Sequence, residues 1–264
     1  MKTNNFRKLL ISLMVVSVAM MGGCVVDPDE YDDIDHSLST DFYLNVNTRS
    51  QYRLYVDNIN GTVKIDGTSE SRLIVRGEKG VKASTRRDAK EYLEDLEIRV
   101  DSFEDEVQVQ TLPPRSRRAD FWVDYRIQVP HSWQVVVDQV NGTVQVFSTD
   151  NTVDVLVSNG DIVTSDIYGS VKARTTNGDI ETDVRLTSGQ VCDLQTTNGR
   201  IELRVPRTTS ATFWAQVTNG IINLLNLPLH DVTESQRQIQ GVLGDGKAAI
   251  HLQTTNGSIQ AVGY

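Results

Sequence analysis

The sequence predicts an all-β protein, a parallel β-solenoid of about 18–21-residue coils with one helix-bearing insertion near its N-terminal end. Asn-Gly pairs recur from residue 141 onward at steps of 18, 18, 21, 21 and 37 residues, and such a period is typical of stacked repeats. Apolar residues alternate before each pair, and a valine or isoleucine follows three positions after each asparagine. Strict alternation indicates strands with one buried face. The asparagines are Asn141, Asn159, Asn177, Asn198, Asn219 and Asn256.

Residues 1–23 are predicted to be a lipoprotein signal peptide. Basic residues precede an apolar run of 13 residues, which is too short for a bilayer span of about 20 residues. Two glycines and Cys24 follow and resemble the lipobox of bacterial lipoproteins, which implies cleavage before Cys24 and lipidation of its thiol. Val25, in place of an aspartate, favours the outer membrane by the sorting pattern of Gram-negative lipoproteins. An ordinary signal peptide with a chance cysteine is the alternative.

Residues 24–40 are predicted to be an acidic, disordered tether, because they hold six acidic residues and almost no apolar run. The folded domain is expected to occupy residues 41–264. With 26 basic and 35 acidic residues the net charge is −9, and residues 115–118 form the main basic stretch. This balance argues against nucleic acid as a partner, since phosphate neutralisation supplies most of that affinity. The membrane is expected to be contacted through the lipid anchor.

The first coil is predicted around Asn60, with Leu54 and Val56 before it and Val63 and Ile65 after it. These residues repeat the spacing of the later coils. The chain then departs from the period for about 60 residues, so a separate element is expected between the first and second coils.

That element is an insertion at about residues 72–130. Residues 85–96 predict an amphipathic helix, with Thr85 as the N-cap and apolar residues at i, i+3, i+4 and i+7. Strands are predicted at residues 97–100, 107–111 and 121–129. The insertion is expected to pack on the first coil or to cap it, because the exposed end of a solenoid invites edge-to-edge aggregation.

Within the repeats, residues two, four and six positions before each asparagine are predicted to face the core. Cys192 shares such a column with Val171 and Ile250, which predicts a buried structural thiol. Lipidation of Cys24 would leave Cys192 without a disulfide partner. Residues 228–245 place polar residues in the long last step and predict a loop on one edge of the solenoid.

The order of these features resembles a known family. A first coil with NGTVKI, an insertion ending in VDYRIQVP and serial NG-x-[IV] coils are similar to the bacterial putative-adhesin β-repeat family, a domain of unknown function. The resemblance covers roughly residues 41–264. It implies an envelope-located β-solenoid and supplies no catalytic residues to transfer, and a fold does not by itself determine a function.

No catalytic residue, metal site or cofactor is predicted. The four histidines lack a partner at metal-ligand spacing, and no nucleophile elbow or phosphate loop is present. Asp161 and Asp179 follow Asn-Gly in successive coils and are expected to stack about 4.8 Å apart, with Arg200 next in the column. Such carboxylates suit an acid pair of a carbohydrate-active β-helix enzyme or a calcium site, but a solvated face is the favoured interpretation.

The outward face of the coils is the main candidate for binding. Residues one, three and five positions before each asparagine form polar columns, from which Trp214 projects. The candidate ligand face consists of Trp214, Gln195, Gln216, Gln253, Thr197 and Thr218. A tryptophan can stack on a sugar ring, whereas the amides and hydroxyls also suit a purely structural ladder.

Together these features predict a non-enzymatic, lipid-anchored protein of the cell envelope. Its solenoid would act as a scaffold or adhesin-like binding surface for a glycan or an envelope protein. Two alternatives remain open at this point, the β-helix carbohydrate-active enzyme and an envelope sensor or signalling partner.

Overall fold

The computed structural model describes residues 36–48, 50–116 and 119–264, which form two sheets and one helix. The elements up to residue 130 are β1 His36–Val46, β2 Arg53–Asn60, β3 Val63–Thr68, β4 Leu73–Ala83, α1 Arg86–Asp95, β5 Glu97–Ser102, β6 Glu106–Leu112 and β7 Asp120–Pro130. The predicted signal peptide, Cys24 and most of the predicted tether lie outside the described residues.

The remaining strands carry the Asn-Gly repeats. They are β8 Gln134–Asn141, β9 Val144–Thr149, β10 Val153–Asn159, β11 Ile162–Ile167, β12 Val171–Asn177, β13 Ile180–Val184, β14 Val191–Asn198, β15 Ile201–Val205, β16 Ala211–Asn219, β17 Ile222–Leu225, β18 Leu229–Glu234, β19 Gln238–Leu243, β20 Ala248–Asn256 and β21 Ile259–Gly263. Six of them end on the asparagine of an Asn-Gly pair, as the period predicts.

Successive strands from β8 to β17 alternate between the two sheets. The first sheet has the order β1-β4-β7-β3-β9-β11-β13-β15-β21-β17, and the second has the order β18-β19-β16-β20-β14-β12-β10-β8-β2-β6-β5. In the second sheet the repeat strands β8, β10, β12 and β14 pair in parallel and in register from asparagine to asparagine. The all-β class is confirmed, as two mostly parallel sheets. Neither sheet closes on itself, so the solenoid geometry stays a prediction.

The core lies between the two sheets and is built from the inward columns. The predicted inward residues are buried in every repeat; for example, Val171, Ala173 and Cys192 are 0% exposed. Burial alternates along the repeat strands of the second sheet, because successive side chains of a strand point to opposite faces.

Each Asn-Gly corner is bonded to the corner of the neighbouring strand. The side-chain amide of Asn159 donates to Oδ1 of Asn141 at 2.9 Å, and that of Asn177 donates to Oδ1 of Asn159 at 2.8 Å. The same bond continues through the remaining corners and makes one asparagine ladder. Its members, in spatial order, are Asn60, Asn141, Asn159, Asn177, Asn198, Asn256 and Asn219.

At several corners the residue two positions before the asparagine bonds the neighbouring corner from the inner face. The hydroxyls of Thr175, Thr196 and Thr254 each donate to a glycine carbonyl of the neighbouring corner at 3.0 Å. The amide of Gln139 donates to the Gly61 carbonyl at 2.7 Å. At these corners the tetrad therefore places one hydrogen-bonding side chain inside and one outside the turn, which satisfies carbonyls that the turn would otherwise bury unpaired.

The stacking departs once from chain order. Strand β20 lies between β14 and β16 in the second sheet, and β21 lies between β15 and β17 in the first sheet. The last coil in the sequence is therefore stacked before the coil that precedes it in the chain. Thr254 in β20 donates its hydroxyl to the Gly199 carbonyl, whereas the corresponding residue of β16 is Val217, which has no donor. The inserted coil therefore bonds the Gly199 corner, and Val217 faces the Gly257 corner instead.

Residues 228–245 differ from the predicted loop. Most of them belong to the antiparallel pair β18 and β19, which extends the second sheet beyond β16. The alternation of Ile239, Gly241 and Leu243 on the buried face explains the strand. Polar composition predicted a loop, but β18 is an exposed edge strand, where polar residues are compatible with pairing.

The helix prediction is confirmed at α1, where the Thr85 hydroxyl accepts from the Asp88 amide at 3.0 Å. Lys79 of β4 donates to the Leu93 carbonyl near the helix C-terminus at 3.1 Å. The insertion also extends the sheets, since β6 pairs in parallel with β2 and β7 with β3. It therefore adds a strand to each sheet beside the first coil.

The folded region starts earlier than predicted. The tether was expected to reach residue 40, but β1 begins at His36 and pairs antiparallel with β4 along its whole length. The backbone bonds of β4 order residues 36–40 although their composition is polar. Within the described residues, no helix is long and apolar enough to cross a membrane.

Candidate functional site

The outward face of the second sheet brings the predicted glutamines together. Gln195 lies opposite Gln253, and Gln253 lies opposite Gln216, on the parallel strands β14, β20 and β16. The spatial order of the column is Gln195, Gln253, Gln216 because β20 is inserted. Neighbouring strands lie about 4.8 Å apart, so the three amides form a continuous column.

The predicted threonines lie beside the asparagine ladder. Thr197 and Thr218 are exposed, with Thr255 of β20 between them. Among the described residues, no hydrogen bond joins the glutamine amides to each other or the threonine hydroxyls to each other; the Gln195 amide instead donates to Asp193 at 2.9 Å. The structural ladder is thus made by the asparagines, and the outward glutamines and threonines present their polar groups to solvent.

Trp214 lies at one end of this face and lines an open cleft of about 520 Å³. Its ring meets the His251 ring with centroids 6.0 Å apart and planes at 76°. The cleft is lined by residues of the adjacent strands β18, β19, β16 and β20. It therefore depends on the inserted position of β20 and on the antiparallel pair of β18 and β19, which the sequence did not predict. The lining residues are Thr212, Phe213, Trp214, Asp231, Thr233, Gln240, Gly241, Val242 and His251.

Sequence reasoning missed the cleft residues Asp231, Thr233 and Gln240. All three belong to the segment that was predicted to be a loop. In the structure Gln240 lies opposite both Trp214 and Thr233. The alternation around Ile239 was the sequence signal that could have placed Gln240 on an outward face.

The carboxylates considered for catalysis have structural partners. Oδ1 of Asp161 accepts from the Asp179 backbone amide at 2.8 Å, and Oδ1 of Asp179 accepts from the Arg200 backbone amide at 2.7 Å. The Arg200 guanidinium also lies 3.4 Å from Asp179. The predicted column of Asp161, Asp179 and Arg200 is therefore present, and each carboxylate binds the turn of the next coil, which agrees with a solvated structural face.

A second carboxylate pair escaped the sequence reasoning. Asp57 lies opposite Asp138 on adjacent strands, and the Tyr55 hydroxyl donates to Oδ2 of Asp138 at 2.6 Å. Burial, and then the charge of Asp138, raise the pKa of Asp57. Burial and the bond to Asp138 also raise the pKa of Tyr55. This carboxylate pair is distant from the Trp214 cleft. Asp57 lies on β2, which is five strands away from β20 in the second sheet.

Cys192 occupies the predicted buried column. Burial, and to a lesser extent the neighbouring Asp193, raise the pKa of its thiol. A buried thiol with a raised pKa is neither a good nucleophile nor a good metal ligand. Within the described ranges no cluster of residues is suited to hold a metal ion.

We therefore expect Cys192 to be chemically inert in the folded protein. In a full-length Cys24→Ser variant, Ellman's reagent should give no measurable reaction in buffer and one thiol per chain in denaturant, because only unfolding exposes the sulfur. Rapid labelling in buffer would show that the column opens at this coil.

Solved structures and one family model are similar to this chain. The chain is similar to the structure of a "putative cell adhesion protein" from Clostridium sporogenes ATCC 15579, at 11% identity and a TM-score of 0.49, covering 86% of this chain and 100% of that one. It is also similar to a "putative adhesin" from Bacteroides fragilis NCTC 9343, at 8% identity and a TM-score of 0.42, covering 84% and 97%. No curated protein matches the chain. The model of the Toastrack DUF4097 family matches residues 44–261, and the chain belongs to that family.

Proposed function

We propose that this chain is a lipid-anchored protein of the cell envelope that acts without catalysis, as an adhesin-like binding surface for a glycan or an envelope protein. The observation that carries the proposal is the outward face of the second sheet, where polar columns in register end in a cleft lined by Trp214. Such a surface presents many weak donors and acceptors at a fixed spacing, which suits an extended repetitive partner.

Rigidity supports this role. The asparagine ladder and the inward threonines tie each corner to its neighbour, so the face keeps one register along the repeats. We propose that these coils form the predicted β-solenoid. A pre-organised surface loses less conformational entropy on binding than a flexible one.

The binding test uses the full-length protein immobilised through an affinity tag. It is exposed to a panel of bacterial and host polysaccharides and to a solubilised envelope fraction, with a heat-denatured sample as the control. We expect saturable binding to at least one polysaccharide or envelope protein. Turnover of a polysaccharide by the purified protein, or no binding by the native protein beyond that of the denatured sample, would contradict the proposal.

The anchor is tested separately at Cys24. In cells fed an alkyne-tagged palmitate analogue, we expect the wild-type chain to be labelled and a Cys24→Ser chain to lose the label, because the thiol is the site of acylation in the lipobox prediction. A Cys192→Ser chain is the matched control and should keep the label, since Cys192 is buried. Full labelling of the Cys24→Ser chain would refute the anchor.

A further inference from the structure

We infer that the cleft beside Trp214 binds a pyranose ring of a neutral glycan, with the chain of the glycan continuing over the glutamine column. This inference rests on the proposed function and assigns it a site and a ligand class. It depends on three features of the cleft: its aromatic corner, its ring of polar groups and its position on the face of the sheet.

Trp214 and His251 form the aromatic corner. Their rings meet at 76°, so they enclose an angle and do not stack on each other. Trp214 is only partly buried although it is large and apolar, and Phe213, its neighbour in the same strand, is fully inside the core. An exposed indole in a cleft can cover the apolar C–H face of a sugar, with its own edge still hydrogen bonded to solvent.

Polar side chains surround this corner at close spacing. Thr233, Gln240, Trp214 and His251 form one row across four adjacent strands, because each lies opposite the next. The row thus holds a hydroxyl, an amide, an indole and an imidazole in that order, at steps of about 4.8 Å, the distance between strands. Sugar hydroxyls both donate and accept, and a mixed set of this kind can bond them in either direction.

Asp231 adds a carboxylate from an irregular part of β18. The pairing of β18 with β19 shifts register between His230 and Thr233, and Asp231 has a φ of 51°. Irregularities of this kind redirect a side chain and are common next to binding sites. Here the shift places Asp231 among the residues that line the cleft.

His230 contacts Asp231 on the exposed surface of β18. Its Nδ1 lies 2.9 Å from Oδ2 of Asp231 and its Nε2 lies 2.9 Å from the Gly244 carbonyl oxygen. Since a carboxylate and a carbonyl oxygen only accept, both contacts are hydrogen bonds only when both ring nitrogens of His230 carry a proton. These contacts favour the protonated ring, and the Gly244 carbonyl and then Asp231 raise the pKa of His230. The Asp231 side chain is 83% exposed, and the carboxylate lone pairs that do not face His230 can accept from a ligand hydroxyl.

The charges favour a neutral ligand. Asp231 is the one acidic or basic residue other than His251 that lines the cleft, and the chain carries a net charge of −9. The net charge disfavours polyanionic polysaccharides, whereas the charge of Asp231 is partly offset when His230 beside it is protonated. An extended peptide could add by strand pairing only at the outer edge of β18, two strands from Trp214, since β19 and β16 are each paired on both sides.

The cleft is continuous with the predicted ligand face. Gln216 follows Trp214 by two residues on the same face of β16, which corresponds to about 7 Å along the strand. Gln253 and then Gln195 continue the column across the sheet. A glycan bound at Trp214 would therefore meet amide groups at the spacing of the strands.

The test is a titration of the full-length protein, solubilised in a detergent without a sugar headgroup. The probes are cello-, xylo-, manno- and malto-oligosaccharides, with oligogalacturonides as the anionic comparison, and calorimetry is the readout. We expect at least one neutral probe to bind. Trp214→Ala should weaken it about tenfold, the equivalent of about 1.4 kcal/mol, Trp214→Phe should weaken it less, and Asp231→Asn should also lower the affinity.

Leu156→Ala is the matched control, because Leu156 is an exposed apolar residue on the same face, three strands from β20. It should bind as the wild type does, and thermal unfolding should show that all variants are folded. No binding of any neutral probe, a preference for oligogalacturonides, or equal binding by Trp214→Ala would each overturn the inference. Binding to an envelope protein, or to a glycan independently of Trp214, would leave the proposed function standing without this site.

Discussion

Gly178→Ala is expected to destabilise the protein by about 3 kcal/mol or more, the sum of backbone strain and a steric clash. Gly178 has a φ of +153°, and a Cβ added there would lie 2.0 Å from the Gly160 carbonyl oxygen and 2.5 Å from its carbonyl carbon. Backbone cannot move aside as a flexible side chain can. The close approach recurs at the other corners, so a shift at one corner would disturb its neighbours. Urea unfolding is the measurement, with a lower midpoint at an unchanged slope.

Gly189→Ala is the matched control for this prediction. Gly189 also has a positive φ, +80°, but a Cβ added there would have no atom within 4 Å. Only the backbone strain of a left-handed residue should remain, about 1–2 kcal/mol. An equal loss of unfolding free energy in the two variants would show that the close approach of neighbouring corners does not require glycine at position 178.

Asn58→Leu is expected to destabilise the protein by about 3 kcal/mol, because it leaves two buried polar groups short of a partner. Asn58 is 0% exposed. Its amide donates to the Val123 carbonyl at 3.1 Å, and its Oδ1 accepts from the Thr111 hydroxyl at 2.8 Å. Asn58 is the first residue of its tetrad, the position that Thr175 and Thr196 occupy at other corners. Its hydrogen bonds join the first coil to the insertion. Thermal and urea unfolding both report the change.

Tyr125→Phe tests the same network from its edge. The Tyr125 hydroxyl lies 2.7 Å from the Thr111 hydroxyl, and the bond from Thr111 to Asn58 survives its removal. The expected loss is about 1 kcal/mol, that of one hydrogen bond. A wild-type unfolding midpoint for Asn58→Leu would mean that apolar burial replaces the network, which is known for some buried polar groups.

Much of the local structure could be predicted from the sequence. The inward columns, the helix capped by Thr85 and the strands of the insertion follow from short-range patterns, because period and capping are properties of neighbouring residues. The asparagine corners were also predicted, but the inward hydrogen bonds of the tetrad were not. Those bonds cross from one repeat to the next and leave no local signal beyond the repeated threonine.

The candidate site was predicted only in part. Trp214 and the glutamines were placed on one face by their spacing from the asparagines. The cleft itself required Asp231, Thr233 and Gln240, which lie in a segment whose polar composition predicted a loop. Polarity does not distinguish an exposed edge strand from a loop, since both face water on several sides.

The sequence by itself determined the repeat, the turn that ends each strand and the face on which each side chain lies. These depend on φ/ψ preferences and on a period of two, and both act within a few residues. Only the tertiary structure decided which strands are neighbours. It inserted the last coil between β14 and β16 and paired β18 with β19, because partner choice depends on long-range hydrogen bonds such as the one from Thr254 to Gly199. That choice brings His251 beside Trp214 and thereby creates the cleft.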